Sequence, residues 1–416
     1  MLKQIRPDQL RLGMYIQGFE GSWMDHPFWR NRFVLEEPKD LARVLASGVT
    51  GVWIDITLGD DVATGAAQAQ PDKAPPAAPV LAEPEPEHES PQATPQTPCN
   101  LRDEMARAAS ICLSARDEMT RMFAEVRMGR AVDTGVVREL VQDITESVMR
   151  NGSAIISLAR LKTADNYTYM HSVAVCALMV SLGRQLKLSD SQISDAGFAG
   201  LVHDIGKALV PMEVLNKPGR LTDEEFEQVK SHPRQGWQLL KDSGVSNAVA
   251  LDVCLHHHER MDGAGYPDQL AGDQISLMAR MGAVCDVYDA ITSNRPYKAG
   301  WDPAESLSRM AKWTGGHFDP RVFQAFVRSL GIYPVGSLVK LNNEKLAVVV
   351  DQSPRSLLKP IVKVFYSLRH QERLPPQEVD LSAPNTKLQI LGREDPADWP
   401  FPDLNDIWSG GAALPA

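Results

Sequence analysis

Residues 201–208, LVHDIGKA, join an apolar helical run to a neighbouring imidazole and carboxylate, His203 and Asp204. Such a pair at a helix end can bind a cation from one side, and the two oxygens of the aspartate can bridge two cations. The dipeptide is common by itself, and its partners give it weight. His171 lies upstream on a helix whose apolar face is Val175, Leu178, Met179 and Leu182. His232 opens a further helix in KSHPRQGWQLL, and Asp286 sits in the apolar stretch AVCDVYDAIT. Six of the ten histidines fall between 171 and 258, where even scatter would leave about two. Histidine is a poor residue for plain core packing, so this crowding points to metal.

Residues 256–267 read HHHERMDGAGYP. With the order H…HD…H…D, this block resembles the HD superfamily of metal-dependent phosphohydrolases and, within it, the HD-GYP domains with their HHExxDGxGYP signature. LVHDIGK, NKPGRLTDEEFEQVKSHP, DVYDAITSNRPYK and GGHFDP are similar to that family in the same order, so the likeness spans about 165–330. The first 60 residues resemble a small domain of uncharacterised role that often precedes HD-GYP domains.

The resemblance implies metal ligands at His171, His203, Asp204, His232, His257, His258 and Asp286. His256, an extra histidine before the pair, is left out. Asp204 is the expected bridging ligand, and a donor set of N and O without thiolate suits Fe or Mn. Two divalent metals would activate a bridging hydroxide and neutralise charge on an in-line phosphoryl transition state. Some relatives hold a third metal through a Glu four residues before the first histidine. Tyr167 stands there, so two metals are expected.

Lys207, one helical turn after His203, is placed with Asp204 as catalytic, donating to the scissile phosphate. Arg295 and Lys298 are expected on substrate phosphates, where a guanidinium forms a fork. Gly263, Gly265, Tyr266 and Pro267 form a tight loop that either contacts substrate or shapes the wall, and the family also docks signalling partners there. His317 and Asp289 are read as structural.

The implied reaction is hydrolysis of cyclic di-GMP to linear pGpG, with further cleavage to GMP left open by the sequence. The rivals are a non-catalytic cyclic dinucleotide receptor or adaptor, and a phosphohydrolase for another nucleotide. A formal net charge of −10 argues against a nucleic acid polymer as partner. No apolar run is long enough to span a membrane and the N-terminus has no signal core, so the protein is expected to be cytoplasmic. Five cysteines, an odd number without a C-x-x-C pair, read as free thiols.

The expected architecture is mainly α: a helical HD-type domain with a small α+β N-terminal domain and a short β-rich C-terminal appendage. The boundaries are 1–60 for the first domain, 61–98 for a disordered Pro/Ala/Glu linker and 99–332 for the helical domain with its leading helices. The β appendage takes 333–395 and a loose tail 396–416. In the first domain, Trp23, His26, Phe28 and Trp29 suggest an aromatic mini-core, with a binding role as the alternative. From Leu101 to Val126, apolar residues spaced four and three apart form a heptad seam, either packed on its own domain or making a homodimer contact through helix 100–126.

Overall fold

The computed structural model describes residues 2–20, 33–35, 38, 41, 45, 51–58, 60, 99–161, 167–215, 217, 219, 221–293 and 300–411. The expected linker and the Trp23–Trp29 cluster lie outside them. The chain forms two units, 1–92 and 93–416.

The first unit holds an antiparallel sheet of β1 (Leu2–Ile5), β2 (Tyr15–Glu20), β3 (Phe33–Val34) and β4 (Gly51–Asp55), in the order β1-β4-β2-β3. Residues alternate across β4: Val52 and Ile54 are fully buried while Trp53 is 40% exposed. The buried side joins Ile5, Leu10, Met14, Ile16 and Leu35 in one small core.

The second unit begins with two long helices, α1 (Leu101–Arg127) and α2 (Thr134–Arg160). Asn100 caps the first by accepting the Asp103 N–H, and Asp133 caps the second by accepting those of Gly135 and Val136. α2 kinks at Asn151, whose backbone leaves the helical region. The heptad seam of α1, from Leu101 through Met105, Cys112 and Met119 to Val126, is buried and packs on α2 within the same chain. The seam is therefore already filled within this chain.

The central helix is α3 (Tyr167–Gln185), packed by α1, by α2, by α4 (Asp190–Val202) and by two later helices. Residues 173–180 are buried on every side, as a helix at the centre of a bundle requires. The chain continues through α5 (Met212–Leu215), α6 (Asp223–Lys230), α7 (His232–Asp242), α8 (Ala248–His256), α9 (Leu277–Thr292), α10 (Pro303–Ala311) and α11 (Pro320–Leu330). The two later helices on α3 are α9 and α11.

A five-stranded antiparallel sheet follows: β5 (Leu338–Leu341), β6 (Lys345–Ser353), β7 (Ser356–Ser367), β8 (Glu372–Asp380) and β9 (Ile390–Arg393), in the order β8-β7-β6-β5-β9. The turn Asn342–Asn343–Glu344 closes the first hairpin, with Leu341 paired to Lys345. β8 carries Pro375 and Pro376, and it lies at the sheet edge, where a missing N–H is tolerated.

The expectation of a loose tail is corrected through residue 411. Residues 396–411 fold back on the sheet with a short α12 (Leu404–Ser409), and Phe401, Leu404 and Trp408 are buried. The Lys363 ammonium donates to the Ile407 carbonyl at 2.8 Å, and the Arg373 guanidinium pairs with both oxygens of Asp403 at 2.5 and 2.6 Å. Tryptophan and phenylalanine supply enough apolar area to anchor a segment otherwise rich in Pro and Gly. Residues 412–416 lie outside the described residues.

Among the described residues no helix is long and apolar enough to cross a membrane, and all five cysteines are free.

Candidate metal centre

Five helices or helix ends bring seven donor side chains to one buried point. α3 carries His171 near its start, and α4 ends at His203, which caps it. Asp204 follows at once and starts a single 3-10 turn, Ile205–Leu209. His232 is the first residue of α7, His257 caps α8, and His258 follows it. Asp286 sits midway along α9.

This convergence needs a close backbone approach. At Gly206 an added Cβ would stand 2.0 Å from the His232 carbonyl oxygen and 2.6 Å from the Gly236 nitrogen. Only glycine lets the turn after Asp204 lie against the start of α7.

The donors form two groups that share one residue. His171, His203, Asp204 and Asp286 make the first; Asp204, His232, His257 and His258 make the second. Asp204 Oδ2 lies 3.4 Å from His171 Nε2 and 3.3 Å from His203 Nε2, while Oδ1 lies 3.1 Å from His232 Nε2 and 3.6 Å from His257 Nε2. Each carboxylate oxygen therefore faces one group.

The histidines are held in one tautomer from behind. Nδ1 of His203 donates to the Gly200 carbonyl at 2.8 Å, that of His232 to the Val229 carbonyl at 2.6 Å, and that of His257 to the Val253 carbonyl at 3.0 Å. Nδ1 of His171 meets Asp289 Oδ2 at 2.6 Å. A carbonyl can only accept, so the Nε2 lone pairs of His203, His232 and His257 turn to the centre. This is the outer-shell arrangement of metal-bound imidazoles.

Two buried polar atoms, His203 Nε2 and Asp204 Oδ1, have no hydrogen-bond partner. Buried polar atoms are rarely left so, and a divalent cation would satisfy both. The donor set is nitrogen and oxygen alone and fits a divalent metal.

Electrostatics agree. Burial alone would raise the Asp204 carboxyl, but Lys207, His203 and His171 outweigh it and hold it well below its usual range. Burial opposes Asp286 as well, and His171 and His203 hold it well below that range. Burial holds His232 down at about 4, and burial and then His257 push His258 well down, so both stay neutral with lone pairs free. Burial also opposes a charge on His171, yet Asp204, Asp286 and Asp289 raise it to about 10, the response of an imidazole crowded by carboxylates.

Residues 2–137 match a family model described as a domain of unknown function (DUF3391), and residues 139–322 match the HD domain. A cyclic di-GMP phosphodiesterase of Pseudomonas aeruginosa is 52% identical over 411 residues, covering 99% of this chain and 96% of the relative. The chain belongs to the HD-GYP family. A cyclic di-GMP phosphodiesterase response regulator of Xanthomonas campestris is 44% identical over 150 residues, or 35% of this chain and 39% of the relative. A 3'3'-cGAMP-specific phosphodiesterase of Vibrio cholerae is 35% identical over 168 residues, or 40% of this chain and 36% of the relative.

Around this HD-GYP centre, the Lys207 ammonium pairs with Asp204 Oδ2 at the edge of the cluster. Tyr266 stacks on His258 with ring centroids 4.7 Å apart, which brings the GYP loop to the second group. At Gly265 an added Cβ would lie 2.5 Å from the backbone of Glu259 and Arg260, so the loop can fold over the helix end only with glycine. Gly263 has a φ of +76° and lies against Ala271, and Pro267 follows Tyr266 through a cis peptide bond. Arg295, Lys298 and the side chain of Tyr167 lie outside the described residues.

His256 points away from the donors, between Asp252 at 2.8 Å and Asp268 at 3.2 Å. His317 stacks on Phe318 and joins neither donor group. Two supporting residues escaped the reading of the sequence as parts of the site. Asp289 orients His171, and its place one turn after Asp286 on α9 was the available signal. Glu259 is buried and accepts the N–H groups of Asp268 at 2.7 Å and Leu270 at 3.1 Å, which fastens the GYP loop.

Proposed function

We propose that this chain is a metal-dependent phosphodiesterase that hydrolyses cyclic di-GMP to linear pGpG, with the product ratio showing whether GMP follows. The observation that carries the reading is the position of Asp204, buried and shared by two groups of donors, one oxygen toward each. His171, His203, Asp204 and Asp286 would hold one divalent cation and Asp204, His232, His257 and His258 a second, with Fe or Mn favoured by the mixed imidazole and carboxylate set. When bound, the cations supply Lewis acidity, lowering the pKa of water and offsetting charge on the phosphoryl group.

The chain's own residues supply the rest. Lys207 pairs with Asp204 Oδ2 at the rim of the cluster, where its ammonium can also donate to a phosphate oxygen. Tyr266, stacked on His258, places its ring beside the second donor group, where it can contact substrate. Arg295 and Lys298 are proposed as clamps for the non-reacting phosphate. The identity to the Pseudomonas aeruginosa enzyme across nearly the whole chain supports cyclic di-GMP over other cyclic dinucleotides. A stretch of 168 residues also matches a 3'3'-cGAMP-specific enzyme, so the substrate comparison must include that dinucleotide. A signalling partner at the GYP loop and a cytoplasmic location belong to the same proposal.

The test is turnover of cyclic di-GMP and 3'3'-cGAMP by full-length protein loaded with Fe or Mn, beside chelated protein and Asp204→Ala. Linear product from cyclic di-GMP that needs both metal and Asp204 supports the reading. Preference for 3'3'-cGAMP would overturn the substrate, and binding without turnover would replace the enzyme with a receptor.

A further inference from the structure

The helical domain and the C-terminal sheet leave an open cleft of about 510 Å³ between them. Its walls are the kink of α2 at Asn151, the C-terminal ends of α3 and α11, and the turn from β6 to β7. Arg150, Arg184 and Arg328 line it. Arg150 is already paired with Glu104 at 2.8 Å. Arg184 donates from Nη1 to the Val148 carbonyl at 2.7 Å, and among the described residues no carboxylate pairs with Arg184 or Arg328. Asp351 is the acidic residue of the lining, and it is committed to the Leu101 N–H at 3.0 Å and the Asn151 amide at 3.2 Å.

Arg184 and Arg328 both line this cleft without a carboxylate partner among the described residues, and a guanidinium matches phosphate because it presents a planar fork of donors. The rest of the lining mixes amide and hydroxyl groups with apolar side chains such as Met149 and Leu357. The volume falls in the range of small-molecule sites, roughly 300–1,000 Å³. The cleft is remote from the metal centre. Arg184 lies thirteen positions after His171 on α3, about 20 Å at the rise of an α-helix.

We propose that this cleft is a second ligand site, binding a phosphate-bearing small molecule of nucleotide size through Arg184 and Arg328. The ligand would tie the end of the His171 helix to the sheet, and the site stands whether or not the metal centre acts on cyclic di-GMP.

The experiment uses metal-loaded full-length protein with GMP and, separately, inorganic phosphate as probes. Hydrogen exchange on the wild type is expected to show protection at 148–153 and 351–357. Protection by phosphate alone assigns recognition to the phosphate, and protection by GMP alone adds the nucleoside to it. Calorimetry on Arg184→Gln/Arg328→Gln is expected to show the probe bound roughly tenfold or more weakly, as for loss of at least one charge-assisted hydrogen bond. Turnover without added probe should be unchanged. Absence of protection at both segments with millimolar probe, or equal affinity in the wild type and the double variant, overturns the proposal.

Discussion

Asp289 Oδ2 lies 2.6 Å from Nδ1 of His171, and both side chains are buried. The carboxylate fixes the ring so that Nε2 faces Asp204 and Asp286, at 3.4 and 2.9 Å. Asp289→Asn keeps the shape and removes the charge that makes the imidazole a strong donor. Metal affinity at the first group should fall by roughly 10–100-fold, as for other outer-shell partners. Activity should recover at high metal concentration, because the seven donors remain. A metal titration of wild type and variant checks this, and superimposable curves would refute a positioning role.

Gly206→Ala should damage the centre without touching a donor. The new Cβ would meet the His232 carbonyl at 2.0 Å, so the turn after Asp204 must move off α7. Overpacking of this kind costs roughly 1–3 kcal/mol, and the movement separates Asp204 from His232. Gly129→Ala is the control: its φ is +78° and nothing lies within 4 Å of the added atom. It should cost roughly 1–2 kcal/mol from backbone strain alone and leave activity intact. Thermal unfolding and turnover of both variants separate the two effects.

The donors were legible in the sequence because histidine clusters are rare and their order carries information that composition does not. All seven residues read from LVHDIGKA and HHHERMDGAGYP outward meet at one point. Asp289 and Glu259 were not read as parts of the site, because a carboxylate that orients a ring or holds a loop is recognised by what lies across from it in space. The alternation of β8 is not legible in the sequence, because Pro375 and Pro376 interrupt it, and its edge position makes them tolerable. The seam of α1 was legible as a seam, but its partner could have been α2 or a second copy, and sequence spacing is blind to that choice.

Glu104 gives the helical domain a dependence on acid. Its side chain is fully buried and accepts from Arg150 at 2.8 and 2.9 Å, Ser147 at 2.9 Å and Arg107 at 3.0 Å. Burial opposes its charge, but Arg150 and Ser147 outweigh that and hold the pKa below its ordinary value. A carboxyl depressed on folding contributes stability above its unfolded pKa, about 4.3, and loses it as pH falls through the lower folded value. Glu104→Gln should therefore be less stable than wild type at neutral pH, by roughly 1–3 kcal/mol. The gap should narrow in acid. Urea unfolding at neutral pH and below the carboxyl range measures both, and a gap independent of pH would contradict the assignment.

Trp408 tests whether the tail is structural. Its ring is 3% exposed, it lies against Gly336 in the connection from α11 to β5, and the Arg160 guanidinium sits 5.8 Å from the ring centre. Arg160 in turn donates to the Val335 carbonyl at 3.1 Å, so the tail, the connection and α2 meet in one contact. Removing a buried indole costs roughly 3–5 kcal/mol. Trp408→Ala should lower the unfolding midpoint and release the segment from 396 onward to protease. The metal centre is built entirely from α3, α4, α7, α8, α9 and the short turns that follow α4 and α8, so stoichiometric metal binding should survive below the new midpoint. A variant with wild-type stability and an equally protected tail would show that this helix contributes nothing to the fold.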